Sequence, residues 1–221
     1  MRVLSPFALE GAGVRLEPLA PGHAPALTAA AAGRRDSFGY TWVPDGDEDA
    51  RRYVEAALAD RDTGRTVPFA VRRLSDRRVV GSTRFLDLDV FVWPPPWPPG
   101  VGRGPAPTDS QPPTVAEIGS TWYAAQVQRT GTNPTCKLVM LRHAFETWQV
   151  LRVTLKTDAR NAASRAAIER LGAQFEGVRR AHGPAQDGTA RDTAYYSVTA
   201  AEWPAVRENL RARLARRQAG S

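Results

Sequence analysis

The sequence predicts a mixed α/β (α+β) domain, a mostly antiparallel sheet with one central parallel pair and flanking helices. Three observations carry this expectation. Polar turns at 75–78 and 186–188 each separate two alternating apolar runs, as antiparallel hairpins require. Between 116 and 172 strand, loop, helix, strand and helix signals follow in turn, the pattern of a parallel pair joined by a right-handed crossover. Apolar residues at 42% and charged residues at 24% of the 221 positions are ordinary globular values, which excludes a disordered or collagen-like chain, and the length suits one domain over 1–221.

The elements follow in order. Residues 7–19 read as a strand interrupted by the turn Gly11-Ala12-Gly13, with Val14, Leu16 and Leu19 as apolar members. Pro21 opens an alanine-rich helix to about Ala32, and Asp47 starts a second helix to Asp62, its first turn acidic as the helix dipole favours. Strands are expected at 67–73 and 79–88. Residues 93–113 are dominated by proline and glycine, so they form an inserted loop, read either as a solvated linker or, from Trp93 and Trp97 within it, as a flap beside a binding site. A strand follows at 116–124, then a helix at 134–149 with Asn133 as its cap and Pro134 at its first position. Leu151, Val153 and Leu155 alternate as a strand, Asn161 caps a helix that Gly172 ends, and strands at 174–180 and 190–199 precede a last amphipathic helix to about Arg216. Residues 216–221 are expected as a flexible tail.

Charge and cysteine usage narrow the function classes. The net charge is +7, and only Lys137 and Lys156 among the 30 basic residues are lysines. Such a field attracts anionic ligands, nucleotide phosphates included. With no aromatic-rich basic stripe or nucleic-acid motif, nucleic acid is not the expected main partner. Cys136 is the single cysteine, which excludes disulfide scaffolds and cysteine-based zinc sites, and no metal is expected. No stretch reaches the roughly 18 apolar residues of a membrane span, and the N-terminus lacks an apolar signal-peptide region, so a cytoplasmic location is expected.

The loop Gln128 to Asn133 joins a strand to a helix N-terminus and contains Gly131, so several amide N–H groups can converge on one anion, a diphosphate above all. Arg129 and Lys137 could add charge there. The spacing is neither a P-loop nor a dinucleotide fingerprint.

The run EIGSTWYAAQVQRTGTNPTCKLVMLRHAF, then LRVTLKTDARNAASRAAIERLGAQFEGVRR, then DGTARDTAYYSV resembles the GNAT superfamily of acyl-CoA N-acyltransferases, and within it the RimJ/RimL (ribosomal-protein N-terminal acetyltransferase) type. The likeness is strongest over 115–204 and omits the proline-rich insert. It implies a GNAT fold whose central parallel pair splays apart around the cofactor, and acetyl-CoA as co-substrate. The family's pyrophosphate loop falls on Gln128, Arg129, Thr130, Gly131, Thr132 and Asn133, with Asn at the last position as in RimL-like members. The strand backbone at Thr121, Trp122 and Tyr123 would meet the pantetheine arm, and an amide there, at Tyr123, would stabilise the oxyanion. Asn161 resembles the pantetheine-binding asparagine, and Ser164 the hydroxyl that protonates the departing thiolate. Read alone, Asn161 is an N-cap and Ser164 a helix residue.

An amine must lose a proton to attack a thioester, and Glu117, in an otherwise apolar strand, is the candidate base, with an arginine-paired structural carboxylate as the plain alternative. Trp42 and Tyr195 are candidates for the acceptor pocket, with core or rim packing as the alternative for Trp42 and structural cross-strand pairing for Tyr195. Cys136 reads as a packing residue, His143 as a solvated or capped histidine, and His182 as a loop residue near the acceptor. The acceptor is expected to be a small-molecule amine or a protein N-terminus. An aminoacyl-tRNA donor and a non-catalytic acyl-CoA-binding module are the alternatives, and a homodimer through the sheet edge or the insert is compatible with the sequence.

Overall fold

In a computed structural model, residues 4–91 and 104–219 are described, apart from the side chains of 218 and 219. The N-terminal segment is a hairpin, β1 (Leu9–Gly11) with β2 (Val14–Pro18), rather than one interrupted strand, because Gly13 at φ 80° turns the chain back on itself. After a 3₁₀ turn at Pro21–His23 come α1 (Ala24–Ala31) and α2 (Asp47–Asp62), the latter with Asp47, Glu48 and Asp49 in its first turn. Strands β3 (Val67–Arg73) and β4 (Val79–Asp89) form the expected hairpin.

Strand β5 (Val115–Tyr123) leads into α3 (Thr132–Arg142), which passes into a π-helical turn at His143–Thr147. Strand β6 (Arg152–Asp158) and α4 (Ala162–Glu169) follow, then β7 (Gln174–Pro184), β8 (Ala190–Thr199) and α5 (Trp203–Ala219). All eight strands form one sheet in the order β1-β2-β3-β4-β5-β6-β8-β7, and only β5–β6 is parallel. The expected mixed architecture is the observed one.

Helices cover both faces of the sheet, and two successive residues of β5 show it. Trp122 packs against Phe38 and Tyr53 on the α1–α2 face, with both ring centroids at 6.3 Å. Tyr123, next in the strand, points the other way and lies beside the Cys136 thiol of α3. Leu16, Phe69, Phe85, Ile118, Met140, Leu155 and Tyr196 are among the largest fully buried side chains of the continuous core between these layers.

Three local expectations are corrected. Gly131, not Asn133, is the N-cap of α3, and Pro134 is its third residue, where its missing N–H is still among the unpaired amides of a helix start. The supposed tail is helical to Ala219, and Arg217 donates to the Arg129 carbonyl at 2.9 Å. Of the insert, 93–103 with Trp93 and Trp97 lie outside the described residues. The remainder returns to the sheet, where Arg65 donates to the Gly104 carbonyl at 2.6 Å. Among the described residues no helix is long and apolar enough to cross a membrane.

Candidate active site

Strands β5 and β6 pair over only three positions, Val115 with Arg152, Ala116 with Val153 and Glu117 with Thr154. Beyond Glu117 they separate, leaving a wedge at their carboxyl ends, the usual position for a ligand in an α/β sheet. A bulge in β5 accompanies the separation. Its register against β4 shifts between the Ser82–Trp122 and Arg84–Gly119 pairs, and Ser120 adopts φ 45°, a left-handed conformation unusual for a residue with a Cβ. Polar side chains pin the bulge from the α3 side. Thr121 Oγ1 lies 2.7 Å from Thr83 Oγ1 and accepts a hydrogen bond from Lys137 Nζ at 2.9 Å.

The loop Gln128 to Asn133 enters α3 at the mouth of the wedge. The Gln128 side chain folds back, donating to the Tyr123 carbonyl and to Ser37 Oγ, both at 2.9 Å. Arg129 carries the positive φ of the loop (61°), whereas Gly131 has ordinary helical angles (φ −76°). Thr130 Oγ1 donates to the Val127 carbonyl at 2.6 Å and accepts from the Thr132 N–H at 3.2 Å, so this hydroxyl shapes the loop. A Cβ at Gly131 would meet only Leu214, at 3.9 Å, so the backbone is uncrowded just before the helix N-terminus. Loop, room and helix dipole fit a diphosphate, and the wedge beside it fits an extended arm such as pantetheine.

Lys137 does not serve this loop as a charge. It is buried, its ammonium faces Thr121, and desolvation pushes its pKa down to about 8. Trp122 and Tyr123 likewise bury their side chains, so the strand offers its backbone to a ligand. At the facing edge of the wedge Asn161 Oδ1 accepts the Ser164 N–H at 2.9 Å and caps α4. That bond leaves the Asn161 amide NH₂ and the Ser164 hydroxyl as the polar groups there.

Glu117 lies where the strands part. Its side chain is 4% exposed, and Lys156 Nζ is 2.9 Å from Oε2, while Oε1 is buried without a hydrogen-bond partner. Burial raises its pKa, and the Lys156 ammonium works against that shift. The partner is thus a lysine, not the arginine considered from sequence, and Lys156 also approaches Asp87 at 3.8 Å. Tyr195 stands directly opposite Lys156, and its hydroxyl is 3.1 Å from His182 Nε2. His182 belongs to β7, not to a loop. Trp42 is 67% exposed, and no contact among the described residues ties it to this cluster.

Sequence reasoning passed over Lys156 and Asp87. The alternation of Arg152, Thr154 and Lys156 with Leu151, Val153 and Leu155 was the available signal for Lys156. Two other expectations resolve. Cys136 is fully buried, and desolvation pushes its thiol up to about 11, as a packing residue requires. His143 is half-buried rather than freely solvated: it stacks on Phe7 at 4.4 Å and meets Trp148 edge-on at 4.6 Å, and burial pushes its pKa down to about 4. Among the described residues no group of His, Cys, Asp and Glu could hold a metal ion.

The sequence matches the family model described as the acetyltransferase (GNAT) domain over residues 14–174. No curated protein matches it. Similar solved structures include a GCN5-related N-acetyltransferase from Brucella melitensis, with 25% identity, TM-score 0.78, and 95% of this chain and 86% of that chain covered. A protein from T. thermophilus assigned as an acetyltransferase is 30% identical, with TM-score 0.74 and coverage of 96% and 100%. RimJ of Mycobacterium smegmatis, in complex with CoA-disulfide, shares the fold at 22% identity and TM-score 0.69, with 94% of each chain covered. On the family match and on the fold that carries the wedge and loop, the chain belongs to the GNAT acetyltransferase family.

Proposed function

We propose that the protein is an acyl-CoA-dependent N-acyltransferase that moves an acetyl or short acyl group directly to a primary amine, of a small molecule or a protein N-terminus. The observation that carries this reading is the early end of β5–β6 pairing, which opens a wedge between the Gln128–Asn133 loop and the buried Glu117. Acetyl-CoA supplies the activated thioester. The α3 N-terminus and the amides of the loop hold its diphosphate, and the Asn161 amide and the free backbone of β5 hold its arm. Glu117 accepts the proton of the amine at Oε1 or through a water, the Tyr123 amide meets the developing oxyanion, and the Ser164 hydroxyl protonates the thiolate. The CoA-disulfide held by RimJ on the same fold supports the choice of donor.

Calorimetric titration of acetyl-CoA into the wild type and a Gly131→Glu variant tests the reading. The variant places a carboxylate before α3, and its Cβ meets only Leu214, at the ordinary contact distance of 3.9 Å. Binding to the wild type, weakened by about tenfold or more in the variant, is the expected result. No binding to the wild type would overturn the proposal.

A further inference from the structure

Alternation along β8 puts Arg191, Thr193 and Tyr195 on one face of the sheet, and the pairing with β7 sets Arg179 beside Thr193. His182 spans this face, with Nδ1 3.1 Å from Thr193 Oγ1 and Nε2 3.1 Å from the Tyr195 hydroxyl. Tyr195 lies opposite Lys156, the partner of Glu117, so one polar surface runs from the candidate base to the two arginines.

The cations of this surface differ in their commitments. Lys156 is balanced by Glu117 and Asp87, and Arg152 by Glu176 at 2.5 Å. Arg160 is balanced by Asp158 at 2.9 Å and Asp187 at 2.7 Å. Arg179 and Arg191 have no acidic partner among the described residues, and Arg191 Nε is buried without an acceptor. Both charges depress the pKa of His182, after burial as the largest cause, and that of Arg191 also reaches Glu117. A buried donor without an acceptor is costly, and a guanidinium meets a carboxylate or phosphate with two parallel hydrogen bonds.

Building on the transferase reading, we propose that Arg179 and Arg191 form an acceptor subsite for an anion, so that the preferred substrates are primary amines carrying a carboxylate or phosphate group. The same positive field disfavours the ammonium form of an incoming amine and so favours the neutral nucleophile. An anion on the acceptor offsets the repulsion and fixes the amine towards Glu117.

The chemistry could come from an acidic side chain near a peptide N-terminus or from a small aminocarboxylate, and matched pairs separate these sources. CoA release is measured with tetrapeptide amides bearing glutamate or glutamine at the second position, and with an aliphatic aminocarboxylate and its carboxamide. In at least one pair the acid should exceed its neutral isostere in kcat/KM by about tenfold or more, the value of one charge-assisted contact. That advantage should collapse in Arg179→Gln and Arg191→Gln and return in part in Arg191→Lys, with turnover of the acids falling more than that of their neutral isosteres. Arg179 is exposed, so its variant reads out even if Arg191→Gln fails to fold. Equal turnover within both pairs, an acid preference that survives both substitutions, or no turnover of either acid overturns the subsite. Acetyl-CoA calorimetry on the same samples separates the two ideas. A wild type that binds the donor and acetylates neutral amines equally well loses only the subsite, whereas one that does not bind it loses the transferase reading.

Discussion

Lys156 Nζ lies 2.9 Å from Glu117 Oε2, an ion pair carried by the two strands that separate to form the wedge. Burial favours the neutral carboxyl of Glu117, and Lys156 opposes that by favouring the carboxylate. Removing the ammonium in Lys156→Met should raise the carboxyl pKa further and move the acidic limb of the pH–rate profile to higher pH, since the base form is lost earlier as pH falls. Glu117→Gln should lower kcat by about 100-fold with acetyl-CoA affinity unchanged. Stopped assays across pH, paired with calorimetry, check both; an unmoved acidic limb in Lys156→Met removes the lysine from this role.

Gly81 sets how closely β4 approaches β5 beside the wedge. A Cβ there would stand 2.2 Å from the Trp122 carbonyl oxygen and 2.9 Å from Tyr123 Cα. Gly81→Ala should therefore cost about 2 to 3 kcal/mol in denaturant unfolding and weaken acetyl-CoA binding by displacing β5. Gly131→Ala, with open space and φ −76°, should stay within about 0.5 kcal/mol of the wild type.

Lys137 is a buried base whose pKa falls from 10.5 to about 8 on folding. Between those values the unfolded chain holds the proton and the folded chain does not, so stability from this group rises with pH. Relative to Lys137→Met, the wild type should gain about 1.4 kcal/mol per pH unit above pH 8. Thermal unfolding of the two proteins between pH 7 and 10 measures the slope, and parallel curves would show that the lysine does not titrate in this way.

His143 gives an acid-side counterpart. Its pKa falls from 6.5 to about 4, from burial first and Arg142 second, so the folded state loses stability as pH drops through that window. The ring is partly exposed, and with solvent screening the loss should be on the order of 1 kcal/mol. His143→Phe, flanked by Phe7, Phe85 and Trp148, should flatten the decline between pH 6.5 and 4. An unchanged acid transition in that variant would place the sensitivity elsewhere.

Periodicity and punctuation made most of the fold readable. Asp47 to Asp62 is helical as its acidic first turn suggests, Asn161 caps α4 through its own side chain, and the two hairpins fall at their polar turns. These signals are local, since each element carries its own cap, turn or alternation. Within the candidate site, the loop and Glu117 were visible because their residue types are out of place for their elements. What needed the tertiary structure is contact between elements, across strands or from helix to strand. The bulge at Ser120 is a matter of register between β4 and β5. The burial of Lys137 against Thr121, the Lys156–Glu117 pair and the His182–Tyr195 contact join residues 13 to 39 positions apart. A sequence states which side chains a strand presents, but sheet register decides which charges meet, and only burial decides how strongly they feel one another.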